Sequence, residues 1–105
     1  AANPYLVLAV CLEAGLDGIR NQITPPDAVT ENVFEMQLQQ RAKLGIESLP
    51  GDLEQAVEEL EKDDYIKNVL GGHITEKYLE AKRAEWADYR AQVTEWEIEK
   101  YLYKI

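Results

Sequence analysis

The sequence predicts an all-α chain of about five helices, and three observations carry that prediction. Helix-start signals recur at Asn3-Pro4, Asp52 and Thr94; apolar residues repeat at three- and four-residue spacings; and no stretch alternates apolar and polar residues as a half-buried strand does. At 105 residues, 46% hydrophobic and 30% charged, the chain suits one domain, 1–105, around one core.

Asn3-Pro4 opens the first helix, with Asn as N-cap and Pro at the first helical position, where its missing N–H costs nothing. The helix is expected from Pro4 to about Asn21, loosened in its second half by Gly15 and Gly18. Tyr5 to Leu12 is an unbroken apolar run, so the first two turns are apolar on every face. Such a helix is either a central core helix or one whose neighbours lie outside this chain. Cys11, inside that run, reads as a small buried hydrophobe.

Gln22 to Thr30, with Pro25-Pro26, reads as an extended loop, because a proline disfavours helix in the residue before it. A short helix is expected over Gln37 to Leu44, stopped by Gly45, and a turn over Ser48-Leu49-Pro50-Gly51. Asp52 then caps a helix to about Lys62, whose Leu53, Ala56, Val57 and Leu60 form one stripe. Asp52 to Asp64 holds seven acids and one Lys: a solvated face, or a surface for a basic partner. Glu58 and Lys62 are spaced as an i,i+4 ion pair.

Asp64 to Leu70 reads as a further short helix ending at Gly71-Gly72. The longest helix is expected from Ile74 to Gln92, with Leu79, Trp86 and Val93 as a seven-residue seam and Tyr78 and Tyr89 beside it. Thr94-Glu95-Trp96-Glu97 is a capping box that starts a new segment. Trp96, Ile98, Tyr101, Leu102, Tyr103 and Ile105 make that segment dense in large apolar groups. A chain end is normally polar and frayed, so residues 94–105 read as a docking tail.

Charge and composition narrow the function. Eleven Lys and Arg against twenty Asp and Glu give a net charge of -9, which repels a phosphate backbone and leaves no basic patch for a membrane surface. The apolar run is far short of the ~20 residues that span a bilayer, and no basic residue precedes Arg20 as a signal peptide requires. One cysteine cannot form an internal disulfide, so a cytoplasmic setting is expected. The only methionine is Met36 and the chain opens Ala1-Ala2, which suggests a cut through something longer.

The residues spell no active site. His73 is the single histidine, which excludes His-rich metal sites, and its place after Gly71-Gly72 suggests a polar helix-end residue. A Cys11–His73 nucleophile and base pair is disfavoured, since an apolar setting suppresses the thiolate. Gly15-Leu16-Asp17-Gly18 is no phosphate loop, and the acid run lacks the alternating ligands and central Gly of a calcium loop. No catalytic, cofactor-binding or metal-ligating residue is assigned.

Several ordered pieces nevertheless carry a resemblance. Asn3-Pro4-Tyr5-Leu6, Glu13-Ala14-Gly15-Leu16-Asp17-Gly18-Ile19, Pro25-Pro26, Glu31-Asn32-Val33-Phe34 and Leu49-Pro50-Gly51-Asp52-Leu53-Glu54-Gln55-Ala56 come in turn. Tyr78-Leu79-Glu80-Ala81-Lys82-Arg83, Glu85-Trp86, Val93-Thr94-Glu95-Trp96-Glu97 and Tyr101-Leu102 follow. In this order they resemble the C-terminal region of type I glutamine synthetase, over essentially the whole chain.

The resemblance implies a parent several times longer, which ligates ammonia to glutamate through γ-glutamyl phosphate, using ATP and two or more Mg or Mn ions. It places the family's metal ligands, substrate arginines and catalytic flap upstream of Ala1. This chain alone is therefore expected to be inactive, with the rest of the synthetase chain and neighbouring subunits as its partners. In the family's enteric members an Asn-Leu-Tyr element receives AMP on its tyrosine; the matching stretch here is Asn32-Val33-Phe34, and Phe34 has no hydroxyl to modify. The tail is similar to the segment that joins two hexamers into a dodecamer, giving Trp96, Ile98, Tyr101, Leu102 and Tyr103 an oligomerisation role. A reading of another class is a self-standing acidic helical module that binds a partner through the Trp86/Tyr89 seam or the acidic helix.

Overall fold

The computed structural model describes residues 2–102, and every described element is helical or irregular, with no strand among them. The elements are α1 (Pro4–Arg20), a 3₁₀ turn (Val33–Glu35), α2 (Leu38–Lys43), α3 (Leu53–Lys62), α4 (Asp64–Leu70), α5 (Gly72–Arg90) and α6 (Glu95–Glu97), which continues as a π-helical turn, Ile98–Leu102. The all-α class and the five main helices agree with the sequence reading. The chain divides into two compact units, Ala1–Gly51 and Asp52–Ile105.

In the first unit, Asn3 Oδ1 accepts from the backbone N–H groups of Tyr5 and Leu6 at 3.0 and 3.3 Å, satisfying donors that a helix start leaves open. The helix closes with a Schellman pair: Gln22 N donates to Ile19 O at 3.2 Å and Ile23 N to Gly18 O at 2.9 Å. That geometry requires a left-handed residue, and Gln22 takes it with φ 50°. α2 ends the same way on Gly45 (φ 72°), with Ile46 N donating to Arg41 O at 2.9 Å. Arg41 Nη2 also donates to Val33 O at 3.2 Å, tying α2 to the 3₁₀ turn beside the buried Met36.

The second unit is α3, α4 and α5 packed on one another, followed by the tail. Asp52 Oδ1 accepts from Gln55 N at 2.8 Å to start α3. Asp63 ends α3 and starts α4, its Oδ1 accepting from Ile66 N at 3.0 Å. Gly71 (φ 84°) plays the same double part between α4 and α5: its N–H donates to Lys67 O at 2.9 Å and its carbonyl accepts from Thr75 N at 3.0 Å. Thr75 is buried and its hydroxyl donates to Lys67 O at 3.2 Å. The apolar centre of this unit is Val57 on α3 and Leu79 on α5.

Several sequence readings need correction. α5 runs from Gly72 to Arg90, so Val93 lies beyond its end, is 71% exposed, and extends no seam. The covered positions of α5 are Thr75, Tyr78, Leu79, Lys82 and Trp86, spaced three, one, three and four. Lys62 pairs with Glu59 at 3.7 Å, at i,i+3 spacing and one residue from the expected Glu58. Residues 46–50 are irregular, with a bend only at Gly51-Asp52. Cys11 is exposed, and no residue of α1 is buried, so α1 is not a core helix of its unit.

Candidate docking surfaces

Three surfaces stand out, each within one unit. The first is on α1. Tyr5, Leu8, Leu12 and Ile19 follow each other at steps of three, four and seven, so they share one face of the helix. They are 83%, 70%, 64% and 75% exposed. Of the half-covered positions, Leu6, Val10, Glu13 and Asp17 lie on a different face, Gly18 lies between the two faces, and Leu16 borders the open stripe. Gly15 falls in the open stripe, where an added Cβ would meet nothing within 4 Å. Burying such side chains is worth about 1.5–3 kcal/mol each, so four left in water are a large unspent driving force.

The tail is the second. Thr94 and Glu97 form the expected capping box: Glu97 N donates to Thr94 Oγ1 at 3.2 Å and Thr94 N to Glu97 Oε2 at 2.8 Å. The turn that follows sets Trp96 and Tyr101 edge to face, centroids 5.9 Å apart at 80°, with Lys100 Nζ 5.9 Å from the Trp96 ring centre. Trp96, Tyr101 and Leu102 are exposed and Ile98 is partly covered. Tyr103 lies outside the described residues.

The third surface is a cleft of about 250 Å³ between α3 and α5, lined by Glu54, Val57, Glu58, Glu61, Arg83 and Trp86. Arg83 Nη2 meets Glu61 Oε1 at 2.6 Å. Trp86 stacks obliquely near Tyr89, centroids 6.0 Å apart, and its Nε1 is buried without an acceptor among the described residues. One turn away, Lys82 Nζ donates to Glu85 Oε2 at 2.9 Å and lies 5.7 Å from the Tyr78 ring centre. The hydrogen bond and charge of Glu85 hold the Lys82 ammonium above its usual range.

Aromatic density pointed to the tail, and seven-residue spacing pointed to Trp86. The sequence reading missed Thr75, the buried polar residue of that face, and the Arg83–Glu61 contact, which joins two helices at no fixed spacing. Phe34 stands on the 3₁₀ turn, its N–H donated to Asn32 Oδ1 at 3.1 Å and its side chain 95% exposed. Among the described residues no three His, Cys, Asp or Glu side chains are grouped to hold a metal ion. No described helix is long and apolar enough to cross a membrane.

The chain is similar to known proteins over nearly its whole length. The family model described as "Glutamine synthetase, catalytic domain" matches residues 1–101. Glutamine synthetase of Thermotoga maritima is 52% identical over 103 residues, 98% of this chain and 24% of that protein. Its counterpart in Methanocaldococcus jannaschii is 51% identical over 100 residues, 95% of this chain and 22% of that protein. A solved structure described as "Apo GmaS without ligand" superposes with a TM-score of 0.76 at 40% identity, covering 96% of this chain and 23% of that one. The chain thus spans about a quarter of the length of the curated relatives it matches.

Proposed function

The chain belongs to the glutamine synthetase catalytic-domain family, corresponding to its C-terminal portion, and from that premise we propose that it is a non-catalytic structural region of an ATP-dependent glutamate–ammonia ligase. The observation that carries this reading is the open α1 stripe of Tyr5, Leu8, Leu12 and Ile19. A stripe of that size is stable in water only when something covers it, and the relatives are about four times longer than this chain. The remainder of the synthetase chain is the cover we assign to it.

ATP and Mg or Mn would supply the phosphoryl-transfer chemistry of the parent, in a cytoplasmic setting. Their ligands are assigned outside this chain, since its described residues do not group as a metal site. The tail, through Trp96, Ile98, Tyr101, Leu102 and Tyr103, would contact neighbouring subunits in a dodecamer. Phe34, fully presented to solvent but without a hydroxyl, would leave the parent free of AMP control at this position.

The 105-residue chain, given glutamate, ammonia, ATP and Mg, should form no glutamine; turnover by it alone would overturn the reading. In the full-length protein, Leu8→Asp with Leu12→Asp should abolish soluble assembly. Normal assembly and activity of that variant would remove the assignment of α1. Trp96→Ala with Tyr101→Ala should lower the oligomer's mass on light scattering, and an unchanged mass would remove the tail's role.

A further inference from the structure

We propose that the part of the synthetase chain preceding this portion fills a notch in the open α1 stripe at Gly15, an inference that rests on the cover assigned to α1 above. Between Leu12 and Ile19 the stripe takes a step of seven, and Gly15 divides it into three and four. The alternation of three and four then runs unbroken from Tyr5 to Ile19. Gly15 thus stands in register with the large apolar residues, is exposed, and carries no side chain.

Glycine is the least favourable residue in a helix interior after proline, and the local reasons that excuse one are absent here. Gly15 has ordinary helical backbone, the positive-φ glycines being Gly45 and Gly71. It does not stop the helix, which closes further on through Gln22 and Ile23. An added Cβ would meet nothing within 4 Å, so no described neighbour crowds it. A side chain missing from an apolar ridge helps a fold only where another surface enters the gap.

Length decides what enters it. The relatives are about four times longer than this chain, so most of the apolar surface able to cover α1 belongs to the preceding part. The tail is already the surface assigned to neighbouring subunits, which leaves α1 to its own chain.

The test is Gly15→Ala in the full-length protein, followed by thermal unfolding. In an open notch alanine adds helix propensity and raises the midpoint; in a filled one its methyl displaces the occupant and lowers it. A lowered midpoint is expected, with a further drop or loss of soluble protein for Gly15→Leu. An unchanged or raised midpoint for Gly15→Ala overturns the proposal. A disulfide-linked dimer formed on oxidation of Gly15→Cys, and not by wild type, would give the notch to a second copy and also overturn it. Leu8→Asp with Leu12→Asp judges the cover separately, because a cover that stays clear of Gly15 passes that test and fails this one.

Discussion

Arg83 on α5 meets Glu61 on α3 at 2.6 Å, and the pair stands between two clefts, lining both the 250 Å³ cleft at Trp86 and a more open one of about 400 Å³ beside Lys67 and Asn68. Both side chains are about half exposed, so water screens the attraction. Arg83→Met should cost no more than about 1 kcal/mol, and high salt should erase most of the difference from wild type. Urea unfolding at low and high salt checks this; a salt-insensitive loss of several kcal/mol would show that the arginine acts through packing instead.

Backbone conformation gives a sharper pair of outcomes. Gln22 holds a left-handed φ that glycine adopts without penalty, so Gln22→Gly should stabilise α1 by about 1 kcal/mol. Gly71 holds φ 84° at the joint of α4 and α5, and Gly71→Ala should cost about 1–2 kcal/mol although its Cβ would meet no atom. Denaturation midpoints of the two variants should move in opposite directions.

Two leucines separate what this chain buries from what it leaves open. Leu79 is buried, and Leu79→Ala should cost at least about 2 kcal/mol. Leu8 is open to solvent, and Leu8→Ala in the isolated chain should cost less than about 0.5 kcal/mol. In the full-length protein the two losses should become comparable, because the assigned cover would then rest on Leu8.

Lys82 sets an alkaline limit. Its folded-state value lies above 10.5 because Glu85 hydrogen-bonds the ammonium and attracts its charge. A raised value of this kind contributes stability that is fully present below about 10.5 and is lost as pH rises through the folded value. The gap in midpoint between wild type and Lys82→Met should therefore be constant up to about pH 10 and shrink above it. A gap that persists to higher pH would assign the loss to packing on Tyr78.

Local chemistry was legible in the sequence, and tertiary chemistry was not. Asp52, Asn3, Gly45 and the Thr94–Glu97 box fall where expected, because a cap is decided by residues three or four apart. Val93 fails because heptad spacing carries no information about where the helix stops, and α5 ends at Arg90 with Ala91 as its C-cap. Gln22 fails because nothing about glutamine announces a left-handed residue; only the bonds from Gln22 and Ile23 reveal it. Cys11 was read as buried from its neighbours, yet burial depends on what lies across the helix, and its unit puts nothing there. The exposed apolar groups of residues 96–102 could be read from aromatic density alone, whereas the α3–α5 cleft depends on Glu54, Glu58 and Trp86 being brought together from separate helices.

The open face of α1 also has a calorimetric signature. Side chains that are wet in both folded and unfolded states add nothing to the heat capacity of unfolding, and among the described residues only Met36, Val57 and Leu79 are buried apolar groups. The isolated chain should then show a heat-capacity increment well below about 12–15 cal/mol/K per residue, and a shallow urea dependence to match. Its stability curve would be broad and low, changing little between a cold room and body temperature. Covering Tyr5, Leu8, Leu12 and Ile19 would restore the curvature along with the stability.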